Sequence, residues 1–163
     1  MKVLLGVALA AMLTACGFQL RGTATFPFNT ISLPQSQSVF LVDLERTIAS
    51  GSNAKIVRKA DEAQAIFELL AEAREKVILS LNTQGRVREY QLRYRVAYRV
   101  HDGKGGYFLA PNDIVLRRDI TFNDQVLAKE SEEALLYREM QSDMVQQIMR
   151  RLAASKLRRP EDD

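Results

Sequence analysis

The chain has 163 residues, the size of one domain. It is 47% hydrophobic and 26% charged, which supports a folded core and excludes wholesale disorder. Lys+Arg 23 against Asp+Glu 20 gives a net charge of +3, too mild for a protein that wraps a polyanion, while one Cys and one His exclude an intramolecular disulfide, a Cys-based zinc cage and a His-rich metal site.

Met1-Lys2 carries one positive charge, and Val3 to Leu13 is an unbroken run of apolar or small residues. That run is too short for a transmembrane helix, which needs about 20 residues. It matches the apolar core of a secretory leader. Leu13-Thr14-Ala15-Cys16 then sets small residues directly before the only cysteine, in the manner of a bacterial lipobox. The expectation is a leader over 1–15, cleavage before Cys16 and covalent lipid on Cys16. Two or more acyl chains hold a protein stably on a membrane, at about 0.8 kcal/mol per buried CH₂. Gly17 follows the cysteine where inner-membrane lipoproteins often carry Asp, so the expected site is the periplasm-facing leaflet of the outer membrane of a Gram-negative cell.

Residues 16–28 read as a lipidated tether, with Gly22, Thr23, Thr25 and Pro27 in its second half. Thr30 to Leu33 reads as a short strand stopped by Pro34. Ser36, Gln37 and Ser38 offer N-cap oxygens to a helix carrying Val39, Phe40, Leu41, Leu44 and Ile48, ended by Ser50-Gly51. Lys55-Ile56-Val57 reads as a second short strand. Residues 60–76 carry conflicting signals. Ala60 to Gln64 and Leu69 to Ala73 favour helix, yet Phe67, Leu69, Ala71 and Ala73 alternate with Glu68, Leu70, Glu72 and Arg74. The alternation continues loosely through Val77, Leu79 and Leu81, and a strand over 65–81 is expected.

Tyr90, Leu92, Tyr94, Val96, Tyr98 and Val100 alternate with polar residues and Ala97, as in a half-buried antiparallel strand. Turn residues at 82–85 join it to the preceding strand, and Asp102 to Gly106 forms the next turn. Ile114 to Phe122 reads as a further strand with neither face cleanly apolar. Lys129 to Lys156 reads as a long amphipathic helix whose apolar side holds Ala134, Tyr137, Met140, Met144, Val145, Ile148, Met149 and Leu152. Residues 158–163 read as a disordered tail and 29–157 as a single α+β domain. Its economical packing sets two helices on one face of a mostly antiparallel four- to five-stranded sheet.

No catalytic constellation emerges. There is no Gly-x-Ser-x-Gly, and Gly103-Lys104-Gly105-Gly106 lacks the spacing of a phosphate loop. His101 reads as a surface residue beside a turn. Glu130, Glu132 and Glu133 suit the first turns of a helix. The basic residues Arg86, Arg88, Arg93, Arg95 and Arg99 fall along one hairpin, where guanidinium groups meet phosphates or form a solvated face. The periplasmic expectation disfavours nucleic acid.

Three segments together resemble the LptE family of lipopolysaccharide-assembly lipoproteins: Cys16-Gly17-Phe18-Gln19-Leu20-Arg21-Gly22, the hairpin Gln84 to Leu92, and Val126-Leu127-Ala128-Lys129-Glu130 before a Met-rich helix. The resemblance implies two helices on a mixed sheet and no enzymatic activity. It implies a plug in the lumen of the outer-membrane β-barrel LptD, forming a heterodimer that inserts lipopolysaccharide into the outer leaflet. It implies lipopolysaccharide binding through Lys129, at the family's basic position before the final helix. The family's second basic position falls on the uncharged Thr83, so Arg86 and Arg88 across the turn are expected to supply that charge. No metal or cofactor is implied beyond the lipid on Cys16. The rival expectations are another periplasm-facing lipoprotein module of an envelope machine, or an enzyme using Asp102 and His101.

Overall fold

The structure, a computed structural model, describes residues 23–121 and 126–159, with the backbone alone for 126–129. The expected leader and Cys16 lie outside the described residues. The elements run β1 (Thr30–Ser32), α1 (Val39–Gly51), β2 (Lys55–Val57), a 3₁₀ turn (Ala60–Glu62), β3 (Ala65–Leu81), β4 (Val87–His101), β5 (Tyr107–Thr121) and α2 (Val126–Ala154). The strands form one sheet in the order β2-β1-β3-β4-β5. β1 lies parallel to both β2 and β3, whereas β3, β4 and β5 form an antiparallel meander. The expected α+β architecture holds, with a mixed sheet. The contested segment 65–81 is one strand, and the helix-favouring Ala60–Glu62 yields only a single 3₁₀ turn. Here the pairing of β3 along the length of β4 overrides local propensity.

Alternation on β4 decides where the core lies. Leu92, Tyr94, Val96, Tyr98 and Val100 are fully buried, while Gln91, Arg93, Arg95 and Arg99 point to the other, wetter face. The helices cover the first face. α1 contributes Phe40, Leu44 and Ile48 at helical spacing, and α2 contributes Met140, Met144, Ile148 and Leu152, all fully buried. Each such side chain contributes about 1.5–3 kcal/mol on leaving water. Phe67 of β3 stacks on Tyr98 with ring centroids 5.4 Å apart.

A polar seam threads this core. Ser38, the N-cap of α1, accepts from the Leu41 amide and donates to Glu72 at 2.6 Å. The Tyr94 hydroxyl donates to the other Glu72 oxygen at 2.8 Å, and burial together with that carboxylate raises its pKa. Arg74 donates to Gln141, which in turn donates to Asp43 of α1. The buried Gln141 is thereby satisfied, and the two helices and β3 are tied together.

Several expectations need correction. Val39 is 62% exposed, because the stripe 40/44/48 turns it outward. Gly51 is not in the left-handed region; Ser52, in extended conformation, stops α1 with its amide and hydroxyl both on the Ile48 carbonyl. Ala134 is exposed, and the buried stripe of α2 begins only at Tyr137. The folded body also reaches further than 29–157. Phe26 and Phe28 are each 3% exposed, and the Phe28 ring meets Phe108 edge-on at 5.0 Å. At the other end Tyr107 and Arg158 exchange backbone hydrogen bonds of 2.8 and 2.9 Å, so Arg158 belongs to the fold and not to a tail.

Candidate functional site

The β3–β4 turn is held by Asn82. Its side-chain oxygen accepts from the amides of Gln84 and Arg86 at 3.0 and 2.9 Å, and its own amide donates to the Arg86 carbonyl at 2.8 Å. Gly85 has φ +75, a conformation that side-chain-bearing residues rarely adopt. The turn therefore projects Arg86 from a defined frame. Arg86 and Arg88 are exposed, and neither meets a carboxylate among the described residues.

The other arginines of the hairpin are engaged. Arg95 pairs with Asp113 of β5 at 2.7 Å, Arg99 pairs with Glu68, and Arg93 donates to Gln91 at 2.9 Å. So of the five arginines read as one basic strand, the two at the tip are the ones with no side-chain partner among the described residues.

Lys129 lies in the first turn of α2, and its side chain is outside the described residues. The register of α2 nevertheless fixes where that turn runs. Tyr137 donates to the Glu75 carbonyl at 2.8 Å, and Glu133 pairs with Lys76 at 2.6 Å. Lys129 precedes Glu133 by one helical turn, about 6 Å along the axis. The backbone thus brings the start of α2 to the tip half of the hairpin, the half that carries Arg86 and Arg88.

The structure adds Ile78 to the alternating residues Val77, Leu79 and Leu81 and shows that all four are open to solvent. Val77, Ile78, Leu79 and Leu81 are 36%, 55%, 48% and 56% exposed. They continue the apolar pattern of β3 past the point where helices cover it. Val77 and Ile78, in register with Gln91 and Tyr90, fall on opposite faces of the sheet, and register shifts between Ile78 and Ser80 and between Ser80 and Leu81 break the period beyond them. The tip is therefore amphiphilic. Arg86 and Arg88 share this end of the hairpin with exposed aliphatic side chains, and Lys76 lies over the Tyr90 ring at 4.5 Å.

His101 is half-buried and not a free surface residue. Its Nε2 lies 3.1 Å from Glu68, and its Nδ1 accepts from the Gly103 amide at 3.0 Å. Glu68 is shared between Arg99 and His101, and those contacts hold its carboxyl below the usual range. Asp102 accepts from the amides of Lys104 and Gly106, which lowers its pKa and fixes the β4–β5 turn. Both residues of the proposed acid–base pair thus serve the local fold. Among the described residues there is no group of three His, Cys, Asp or Glu that could hold a metal, and no helix long and apolar enough to cross a membrane.

Comparisons with known proteins agree with this architecture. A family model described as LptE: Lipopolysaccharide-assembly matches residues 23–152. The solution structure of an uncharacterized lipoprotein B from Nitrosomonas europaea is 42% identical, with a TM-score of 0.73 over 85% of this chain and 91% of that one. The crystal structure of the rare lipoprotein B from Shewanella oneidensis is 32% identical, with a TM-score of 0.66 over 77% of this chain and 95% of that one. A minor lipoprotein from Acinetobacter baumannii, 19% identical, shares the fold with a TM-score of 0.66 over 83% of this chain and 99% of that one. A search of curated proteins finds no match. With 130 consecutive residues matched and two lipoprotein structures above 30% identity, the chain belongs to the LptE family of lipopolysaccharide-assembly lipoproteins.

Proposed function

We propose that this protein is an outer-membrane lipoprotein, anchored by lipid on Cys16, that plugs the lumen of an LptD-like β-barrel and assists insertion of lipopolysaccharide into the outer leaflet. It acts without catalysis. Arg86, Arg88 and Lys129 bind the ligand, and their guanidinium and ammonium groups meet phosphates of lipid A or the inner core. There they compete with the divalent cations that bridge neighbouring lipopolysaccharide molecules.

One observation supports the ligand assignment: Arg86 on the Asn82–Gly85 turn and Arg88 at the start of β4, both without a carboxylate partner among the described residues, share the hairpin tip with the exposed Ile78, Leu79 and Leu81. A ligand that bears phosphates beside acyl chains matches both halves of that surface. Guanidinium groups take phosphate oxygens bidentately, and Ile78, Leu79 and Leu81 offer the apolar contact. The plug assignment is supported by family membership and by the mixed-charge outer face of the sheet, which suits a polar barrel lumen.

The test is a mild-detergent pull-down of the tagged full-length protein from outer membranes. A stoichiometric, heat-modifiable barrel co-eluting with it is the expected result. Recovery from the outer-membrane fraction without any barrel would overturn the plug assignment in favour of a different envelope-assembly module.

A further inference from the structure

The end of the molecule opposite the tip is also basic, for a different reason. The β4–β5 turn, the last turns of α2 and the first described residues of the chain all meet there. A cleft of about 820 Å³ is lined by Arg151, Lys156, Arg158 and Arg159 over a floor that includes Phe108 and Leu109. An adjoining hollow shares Phe108 and Arg159 and adds Lys104, the exposed Leu157, and Pro27 and Phe28 from the N-terminal segment. Arg150 and Thr23 line a third depression beside it, between α1 and α2.

Six cations therefore surround one end: Lys104, Arg150, Arg151, Lys156, Arg158 and Arg159, all exposed. Arg150, Arg151, Lys156 and Arg158 make no ion pair among the described residues. At this end Asp102 is occupied by two backbone amides and the charge of Arg159, and Glu68 is shared between Arg99 and His101.

This is also the end from which the chain runs back to Cys16. Thr23 sits seven residues after that cysteine, a reach of at most about 24 Å. Lysines and arginines within reach of a leaflet, with their stems over an apolar floor, match the headgroup region of a membrane. We infer that the basic end docks on the headgroups of anionic phospholipids, of the phosphatidylglycerol type, in the leaflet that receives the Cys16 lipid. The inference rests on the proposed lipid anchor for its geometry. It assigns the two basic ends different lipids, phospholipid at the base and lipopolysaccharide at the tip.

The test is a calorimetric titration of the full mature chain in nonionic detergent with dihexanoyl phosphatidylglycerol, dihexanoyl phosphatidylcholine or inorganic phosphate. Saturable binding of the phosphatidylglycerol alone is expected. It should weaken about tenfold or more in R151Q/K156Q/R158Q/R159Q, and likewise when salt rises from about 50 to about 500 mM. The milder K156Q/R159Q, which alters two exposed side chains, keeps the test usable if the quadruple variant fails to fold. Equal binding of the two lipids, or phosphatidylglycerol binding untouched by the substitutions, would overturn the inference. Phosphate saturating as tightly as the lipid would assign a free-anion site and overturn it too. Failure to recover a barrel partner, or a Cys16 without lipid, would contradict the proposed function instead; the titration uses neither and decides this inference alone.

Discussion

The two halves of the β3–β4 hairpin are built from similar residues and do opposite things. In the base half, Phe67 on β3 stands opposite Val100 of β4 and stacks on Tyr98, and all three are buried under α1 and α2. In the tip half, Ile78 and Leu81 stand opposite Tyr90 and Val87 and remain largely open, because the buried stripe of α2 begins only at Tyr137. Aliphatic content is alike, and helix cover is what differs. An apolar strand that is covered supplies stability. The same kind of strand left uncovered, on a turn fixed by Asn82 and Gly85, supplies a surface for something else to cover.

The largest effect separates the halves directly. Phe67→Ala should cost about 3–5 kcal/mol, since it empties a site stacked on Tyr98, whereas Ile78→Ala should stay within about 0.5 kcal/mol. Urea unfolding midpoints of the two variants measure the contrast. Equal losses would mean that the tip half is packed as the base half is.

A finer contrast lies within the base half. Tyr94 and Tyr98 are both fully buried, but only Tyr94 donates to a carboxylate, and the Tyr98 hydroxyl has no hydrogen-bond partner among the described residues. Tyr94→Phe strips a donor from Glu72 and should cost about 1.5–3 kcal/mol. Tyr98→Phe removes an unsatisfied group and should be neutral or slightly stabilising. The same unfolding series reads both.

The smallest effect concerns acid. Contacts with Arg99 and His101 lower the folded pKa of Glu68. Its ionised form therefore favours the folded state above the ordinary glutamate value of 4.5, and that contribution is lost as pH falls through the lower folded value. Glu68→Gln should lower the melting temperature at neutral pH slightly and flatten its fall below about pH 4.5. A variant that parallels the wild type down to low pH would show that Glu68 carries no linkage.

Much of this architecture was legible because alternation on 90–100 is clean and the Met-rich stripe of α2 follows helical spacing. The strand over 65–81 was visible as period two against a helix-favouring composition, and pairing with β4 decided it. What stayed hidden depends on long-range packing. Nothing local says that Arg95 and Arg99 would find Asp113 and Glu68, 18 and 31 positions away, while Arg86 and Arg88 would find none. The position of Ala134 on a helical wheel is apolar, but the wheel does not show that helix cover begins one turn later. Phe26 and Phe28 read as tether because glycine, threonine and proline surround them, and only contact with Phe108 shows that they belong to the core.

In the proposed function the hairpin tip binds lipopolysaccharide while the base half of the hairpin holds the fold. The most direct test is lipopolysaccharide affinity, at low salt, of the wild type and of R86A/R88A/K129A, with the urea midpoint of each protein measured alongside. The triple variant should lose affinity clearly, with stability changed by no more than about 0.5 kcal/mol. Unchanged affinity at low salt, where phosphate contacts weigh most, would contradict that role of the tip.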